Sequence, residues 1–205
     1  MAAKKQAKKT APARTAAPGR ARGAAATGAA RSPAPRAARP SARSPAGAAA
    51  APAPAAGERA PRFELVEPGG ARVGSATLAG QPYVLYFYPR DHTSGCTREA
   101  QGFRDAAREF AALGLRVIGV SPDSPASHAR FRDQHDLGFT LLSDPDRAVA
   151  RAFGAFGPKR SRGRETMGII RSTFLVDGAG KIRRAWRGVR VDGHVAEVLA
   201  AAREL

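Results

Sequence analysis

The sequence predicts an α/β domain, in which helices cover both faces of a central sheet, preceded by a long basic tail. Short apolar runs of strand length alternate with stretches whose apolar residues recur every three or four positions, as on a helix. Residues 1–57 contain no Asp or Glu and almost no large apolar residue. Such a segment cannot offset the entropy lost on ordering, and we expect it to be disordered. We therefore place the tail at residues 1–59 and the domain at residues 60–205.

The elements of the domain follow from the apolar pattern. The first predicted strand, Tyr83–Tyr88, is a continuous apolar and aromatic run, which suits a strand buried on both faces. A helix should follow it, because Ala100, Phe103, Ala107 and Phe110 recur at helical spacing. The later elements are a strand at 115–120, a helix at 125–135, a strand at 139–142, a helix at 147–153, a hairpin of strands at 173–176 and 181–186, and a helix at 194–202.

The positive charge is concentrated in the tail. Of the 34 Lys and Arg residues, 13 lie in residues 1–62 together with one acidic residue, whereas residues 63–205 hold 21 basic and 16 acidic residues. The segment AAKKQAKKTAPA resembles the tails of linker histones and bacterial histone-like proteins. Such a polycation either neutralises nucleic-acid phosphates or only solvates the chain. A transit peptide is a third reading, but the repeated prolines argue against the amphipathic helix that it would form.

The composition excludes several other classes of protein. A single cysteine permits neither an intramolecular disulfide nor a cysteine-rich zinc site. No window approaches the roughly 18 uninterrupted apolar residues of a membrane span. The basic N-terminus is followed by Ala and Pro rather than by the apolar core of a secretory signal. We expect a cytoplasmic protein without a metal or cofactor, and the tail makes nucleoid association an additional hypothesis.

The only thiol in the sequence occupies a position at which chemistry is common. Cys96 follows the first predicted strand and falls in the first turn of the next helix, at the edge of an α/β sheet where sites are usually placed. Free backbone N–H groups at such a position stabilise a thiolate, lowering a cysteine pKa from about 8.5 into a range of about 3.5–7.5. From position alone, the side chain is either a reactive nucleophile or a buried, inert cysteine.

The residues around this thiol resemble a known family. Pro89, Thr93 and Cys96 have the spacing P-x-x-x-T-x-x-C of the peroxidatic motif of the peroxiredoxins. The surrounding segment YFYPRDHTSGCTREAQGFRD is similar to the bacterioferritin comigratory protein, or PrxQ, subgroup. The resemblance continues through MGIIRSTFLVDGAGKI and GHVAEVL, so that it covers about residues 60–205 and leaves out the tail.

The resemblance implies a thioredoxin-like fold, with a central mixed sheet flanked by helices, and a thiol-dependent peroxidase for hydrogen peroxide and organic hydroperoxides. Cys96 would attack the peroxide and become a sulfenic acid. Thr93 would hydrogen-bond the thiolate and the peroxide, and Pro89 would shield them from water. Arg171 would face the thiolate, and Glu99 would hold an arginine in place. A lower thiol pKa supplies only about 2 kcal/mol of the roughly 8 or more that an enzyme needs, so these donors would have to supply the rest.

One departure from the family pattern concerns the resolving cysteine. Many relatives carry a second cysteine five positions after the first, where this sequence has Gln101. With no other thiol in the chain, the sulfenic acid must be reduced by an external thiol, which could be glutathione, a thioredoxin, a glutaredoxin or another low-molecular-weight thiol. The other route is a Cys96 bridge between two subunits, which the depth of the site disfavours. We expect a monomer or a weak dimer. The alternative hypothesis is a DNA-associated binding protein whose thioredoxin-like domain lost catalysis together with that cysteine.

Other candidate residues have weaker support in the sequence. His92 lies near Cys96, but no third group completes an acyl-transfer or metal site, and we interpret it as a loop residue without a role. His128, His135 and His194 fall on predicted helices, where we expect solvent-facing or packing roles. Two further patterns are interpreted as structural: the basic segment 158–164 as a solvated loop, with a nucleic-acid surface as the alternative, and Gly154-x-x-Gly157 without a phosphate role.

Overall fold

The computed structural model describes residues 53–161 and 163–205, so the interpretation of residues 1–52 as a disordered tail falls outside it. The strands are β1 Glu64–Val66, β2 Arg72–Gly74, β3 Tyr83–Phe87, β4 Arg116–Ser121, β5 Thr140–Ser143, β6 Phe156–Ser161, β7 Arg164–Ile169, β8 Ser172–Val176 and β9 Ile182–Arg187. The helices are α1 Ser94–Asp105, α2 Ala107–Ala112, α3 Pro125–His135, α4 Ala148–Ala152 and α5 His194–Ala202. None of these helices is long and apolar enough to cross a lipid bilayer.

Seven of the strands form one mixed sheet, in the order β2-β1-β5-β4-β3-β8-β9. The central strands β3, β4 and β5 are parallel, whereas β8 and β9 on one side and β1 and β2 on the other run antiparallel to their neighbours. Parallel neighbours need a crossover connection, which α1 and α2 supply between β3 and β4, and α3 supplies between β4 and β5. The predicted α/β class, with a central mixed sheet flanked by helices, is confirmed.

Strand β3 contributes to the core on both faces of the sheet, because its side chains alternate between them. Val84 and Tyr86 belong to a buried cluster that includes apolar residues of α1, α2 and α5. Leu85 and Phe87 belong to a second cluster, on the side of α4. All five residues of β3 are buried, which explains why the run is apolar throughout. The strand therefore anchors the loop that follows it.

Several elements differ from their predicted bounds. The single helix predicted across residues 100–111 is two helices, because the backbone of Ala106 (φ −87°, ψ 1°) leaves the helical conformation between α1 and α2. The helix predicted at 147–153 begins at Ala148, since Arg147 is in the left-handed region (φ 57°). Strands β1 and β2 have no counterpart in the sequence prediction, because runs of three residues carry little periodicity.

The basic segment 158–164 is part of a hairpin, and its interpretation as a loop is wrong. Strands β6 and β7 pair with each other in a separate two-stranded sheet, with Phe156 opposite Ile169. A glycine and a proline near the start of β6 lower its strand propensity, so the sequence does not reveal the strand. β7 leads almost directly into β8, which lies between β3 and β9 in the main sheet.

Ordered contacts begin before the predicted domain boundary at residue 60. Gly57 donates its backbone N–H to the carbonyl of Ile182 (2.7 Å), and Ile182 donates to the carbonyl of Glu58 (2.8 Å). The guanidinium of Arg187 donates to the carbonyl of Pro54 (2.7 Å). These hydrogen bonds attach the residues just ahead of the boundary to β9.

Candidate active site

The loop that carries Cys96 begins where β3 leaves the sheet. Tyr88 still donates its backbone N–H to Val120 of β4 (3.0 Å), and Thr93 then occupies the N-cap position of α1. The first helical hydrogen bond runs from Thr97 to the carbonyl of Thr93 (2.8 Å), so the backbone N–H of Cys96 has no partner within the helix. Cys96 is only 2% exposed. Its sulfur therefore lies at a helix N-terminus in a site largely closed to bulk solvent.

Strand register brings Arg171 to this sulfur. Strand β8 runs antiparallel to β3 with Ser172 opposite Phe87, so the residue before Ser172 lies next to the end of β3. The side chain of Arg171, which is 15% exposed, donates from Nη2 to the Sγ of Cys96 (3.2 Å). A cation at this distance stabilises a thiolate relative to a thiol.

Glu99 holds the other end of the guanidinium. It follows Cys96 by one helical turn, which places both side chains on the same face of α1, and its Oε2 accepts from Nη1 of Arg171. Burial raises the pKa of Glu99 from 4.5 to about 7, while Arg171 acts in the opposite direction. Burial lowers the pKa of Arg171, but Glu99 and Cys96 more than offset this, so the pKa is raised and the guanidinium stays charged. The Oε1 of Glu99 has no hydrogen-bond partner among the described residues.

The structure does not join Thr93 to the sulfur directly. Its hydroxyl donates to the carbonyl of Arg90 (3.2 Å) and makes no capping hydrogen bond. Pro89 is half-buried, and both residues line a cavity of about 610 Å³ at the loop. The roles that the resemblance implies for Thr93 and Pro89 stay predictions.

A second buried cluster, the Asp91–His128 cluster, fixes the same loop. Asp91 accepts hydrogen bonds from the hydroxyls of Tyr88 (2.7 Å) and Ser127 (2.7 Å), and its Oδ2 lies 3.0 Å from Nδ1 of His128. The Nε2 of His128 lies 3.2 Å from the carbonyl of Leu142. Both ring nitrogens of His128 therefore face oxygen atoms, and the ring ties the loop of Asp91 to β5. Burial acts to raise the pKa of Asp91, but His128 and the hydroxyls lower it overall.

This cluster has no counterpart in the sequence prediction. His128 is fully buried and hydrogen-bonded, which a solvent-facing or purely packing role does not describe. It is 37 residues from Asp91, and no spacing rule connects residues on different elements at that separation. The available signal was the position of Asp91 in the same loop as Cys96, two residues after Pro89.

His92 and His194 make their contacts with residues other than Cys96. The Nε2 of His194 is 2.8 Å from the hydroxyl of Thr173, and burial, together with Arg171, lowers the pKa of His194 to about 4. His92 is exposed, and its ring packs against Phe131 with 5.2 Å between centroids. Within residues 53–161 and 163–205, no group of three or more His, Cys, Asp or Glu side chains is placed to hold a metal ion.

Comparison with known proteins places this geometry in a family. The AhpC/TSA family model matches residues 56–185. Peroxiredoxin Bcp of Bacillus subtilis is 45% identical over 149 residues, which span 73% of this chain and 95% of that protein. A structure of Xanthomonas campestris peroxiredoxin Q superposes with a TM-score of 0.66 at 41% identity, covering 69% of this chain and 90% of that one. The chain therefore belongs to the AhpC/TSA family, as a peroxiredoxin of the Bcp/PrxQ type with a thioredoxin-like fold.

Proposed function

We propose that Cys96 is the peroxidatic residue of this thiol-dependent peroxidase, and that Arg171 and Glu99 hold its sulfur ready for attack. The observation that carries the proposal is the donation from Nη2 of Arg171 to Sγ of Cys96 (3.2 Å) in a buried site. A structural cysteine packs as a small apolar side chain and needs no cation beside it. Burying a guanidinium is costly, so its donation to a sulfur indicates a role for that sulfur beyond packing.

The first half of the reaction oxidises the sulfur. The thiolate attacks one oxygen of the peroxide ROOH, the O–O bond breaks, and the sulfenic acid Cys–SOH forms. The other oxygen leaves as RO⁻ and takes up a proton to become an alcohol, or water when R is hydrogen. The sulfur loses two electrons, which the peroxide gains. Arg171 and the backbone N–H of Cys96 are the donors for the departing negative charge, and one such donor is typically worth about 10²–10³ in rate.

We assign supporting roles to Thr93 and Pro89 at the entrance. A rotation of the Thr93 side chain exchanges its bond with the Arg90 carbonyl for one with an incoming peroxide. The ring of Pro89 covers the loop beside the sulfur and limits the access of water. Their common position on the cavity next to Cys96 supports both assignments.

The second half of the reaction needs a thiol from outside the chain. Cys96 is the only cysteine of the sequence, and Gln101 occupies the resolving position. An external thiol RSH attacks Cys–SOH and gives the mixed disulfide Cys–S–SR and water. A second RSH then releases the Cys96 thiol and RSSR.

We propose both hydrogen peroxide and organic hydroperoxides as substrates. A structure of the Xanthomonas campestris bacterioferritin comigratory protein concerns the alkyl peroxide reduction activity of that protein, and this supports the organic substrates. The cavity of about 610 Å³ at Pro89 and Thr93 also offers room for an alkyl group.

Peroxide consumption by the purified full chain tests the role of Cys96. With excess thiol, the parent protein should turn over peroxide and Cys96→Ser should not. After one equivalent of peroxide without thiol, dimedone should add to Cys96, and mass spectrometry locates the adduct. If a disulfide-linked dimer accumulates instead, resolution passes between two copies of the chain and the external-thiol step is wrong.

We further propose that residues 1–52 bind nucleic acid without sequence preference and hold a cytoplasmic, monomeric or weakly dimeric enzyme near the nucleoid. The support is charge alone: this segment has 11 Lys and Arg residues and no acidic one. If about eight of them contact phosphates, the slope of log affinity against log salt should be near −7, a loss of roughly 10⁴ in affinity between 50 and 200 mM salt.

Gel shifts at two salt concentrations test this role of the tail. The full chain is compared with a chain lacking residues 1–52, a truncation that spares the hydrogen bonds of Pro54 and Gly57 to β9 and the adjoining loop. Equal affinity of the two proteins would remove the tail as the binding element. The alternative hypothesis, a DNA-associated protein without catalysis, predicts DNA binding without peroxide turnover, and no contact of residues 53–161 and 163–205 favours it.

A further inference from the structure

A groove of about 610 Å³ opens beside the loop of Cys96. Pro89 and Thr93, at the proposed entrance for peroxide, form one part of its lining. Phe156, Met167 and Ile169, from the β6–β7 hairpin, form an apolar part. Met167 is 64% exposed, although large apolar side chains are usually covered. The groove therefore joins an apolar surface to Pro89 and Thr93, in the loop that leads to Cys96.

The charged residues of the groove are mostly cationic. Its described lining contains one acidic residue and four basic ones: Asp123, Arg90, Arg147, Arg151 and Lys159. The Asp123 carboxylate already accepts hydrogen bonds from the hydroxyl of Ser121 (2.8 Å) and the backbone N–H of Asp91 (2.9 Å). Its negative charge is therefore engaged in the loop, and the groove is left with an excess of positive charge.

Two of the four cations are available to a ligand. Arg151 lies over the ring of Phe156 (4.8 Å to the centroid), and Lys159 donates to the carbonyl of Ile169 (3.1 Å). Arg90 and Arg147 are exposed and make no side-chain hydrogen bond or ion pair with the residues that the structure describes. Guanidinium groups suit carboxylates, because their planar N–H donors match the two carboxylate oxygens.

We infer that this groove binds the reducing thiol, and that this thiol is a small molecule carrying carboxylate groups. The inference rests on the proposed function, because it concerns the external thiol of the second half-reaction. Cys96 is 2% exposed, so the attacking sulfur has to enter the site, which is easier for a small molecule than for a thiol fixed on a protein surface. The carboxylates lie at Arg90 and Arg147, the aliphatic part packs on Met167, and the sulfur points toward Thr93.

The experiment measures the reduction step separately from the oxidation step. The full chain is first oxidised with one equivalent of hydrogen peroxide, and the sulfenic acid is quantified with dimedone. Its reduction is then followed with glutathione, which carries two carboxylates, with neutral 2-mercaptoethanol, and with cationic cysteamine, at equal thiolate concentrations. Each rate constant is expressed relative to that of 2-mercaptoethanol, so that the intrinsic reactivity of Cys96 cancels in comparisons between variants.

Glutathione should react faster than cysteamine in the parent protein, and the ratio should shrink as salt rises. Arg147→Glu should lower the relative rate of glutathione by roughly threefold or more, since one cation becomes an anion. The control Arg108→Glu makes the same charge change at an exposed position of α2, outside the groove, and should leave the ratio within about twofold.

Three results would overturn the inference while leaving the proposed function intact. Equal rates for glutathione and cysteamine would exclude recognition of carboxylates, and equal effects of the two variants would exclude the groove. Reduction by a thioredoxin at lower concentration and higher rate than by glutathione would identify a protein dithiol as the reductant. If no sulfenic acid forms in the first step, the peroxidatic role of Cys96 fails, and the thiol site fails with it.

Discussion

Asp91 and Glu99 are two buried carboxyl groups on one short stretch of chain, yet their pKa values move in opposite directions. Burial acts to raise the pKa of Asp91, but two hydroxyls and His128 donate to it and lower the pKa overall. Burial raises the pKa of Glu99 to about 7, because Arg171 alone does not offset it. Glu99 is the more deeply buried of the two and has fewer donors, and both differences favour its neutral form.

The same difference distinguishes the Asp91–His128 cluster from the proposed reactive cluster of Cys96, Glu99 and Arg171. Both oxygens of Asp91 and both ring nitrogens of His128 have partners. At Glu99 one oxygen has none in the described part of the chain, and Arg171 divides its donors between a carboxyl and a sulfur. A fully paired cluster holds one geometry, whereas an incompletely paired one accommodates the changes of charge that a reaction brings.

The largest effect should come from breaking the fully paired cluster. His128→Ala leaves the Asp91 carboxyl and the Leu142 carbonyl buried without the partner that they share, which should lower the free energy of unfolding by about 3–5 kcal/mol. The control His135→Ala, at the half-buried C-terminal end of the same helix, should cost less than about 1.5 kcal/mol. Urea unfolding of both variants measures the difference. Equal costs would contradict a stabilising role for the Asp91–His128 cluster.

The second effect concerns the rate of Cys96 oxidation and the proposed reactive cluster of Cys96, Glu99 and Arg171. In free energy it should be somewhat smaller than the first. Arg171→Gln removes the charged donor to Sγ, so the rate constant for oxidation of Cys96 by hydrogen peroxide should fall by about 10²–10³, or about 2.7–4 kcal/mol. Stopped-flow mixing with one equivalent of peroxide measures that rate. Arg130→Gln, an exposed position on α3, serves as the control and should change the rate less than about twofold. A fall of less than tenfold in Arg171→Gln would contradict the proposed role of the guanidinium.

The third effect concerns pH and follows from the raised pKa of Glu99. Because the folded-state pKa of Glu99 (about 7) lies above the ordinary 4.5, the folded protein binds this proton more tightly than the unfolded chain does. The contribution of Glu99 to stability is therefore fully present below pH 4.5 and is lost as pH rises through about 7. Gln does not titrate, so Glu99→Gln should gain stability relative to the parent between about pH 5 and about pH 8.

Urea unfolding of Glu99→Gln and of the parent, at about pH 5 and about pH 8, tests whether the variant gains stability as pH rises. The control Glu109→Gln changes an exposed carboxyl on α2, and its difference from the parent should stay below about 1 kcal/mol at both pH values. A difference between Glu99→Gln and the parent that shrinks with rising pH would show that the charged form of Glu99 is favoured by its site.

Much of the fold is predictable from local pattern, and the exceptions have physical causes. The apolar run predicts β3, because this strand is buried on both faces. The helical spacing of apolar residues predicts α1 and α2, because each helix buries one face in the core. The β6–β7 hairpin buries little and contains Gly157 and Pro158, so neither periodicity nor propensity marks it. Ala106 ends α1 without a glycine or proline, and a break of this kind leaves no trace in the sequence.

The sequence predicts those parts of the candidate site that lie within one motif. It does not predict contacts between residues that are far apart in the chain and meet only through strand pairing. Cys96 and Glu99 lie one turn apart, and their joint placement follows from the helix itself. Arg171 reaches them through the register of β8 on β3, which only the family resemblance anticipated. The Asp91–His128 cluster spans two elements without a motif, so only the three-dimensional structure joins its members.

Arg171 reaches Cys96 only through the pairing of β8 with β3, and this has a consequence during protein synthesis. Arg171 follows Cys96 by 75 residues. At typical rates of synthesis, the ribosome needs roughly 4–15 s to add a segment of that length, and β8 cannot pair with β3 before then. During this interval the Arg171 guanidinium is absent from Cys96. On the role proposed for Arg171, the nascent chain acquires its sensitivity to oxidation only when its C-terminal third has folded.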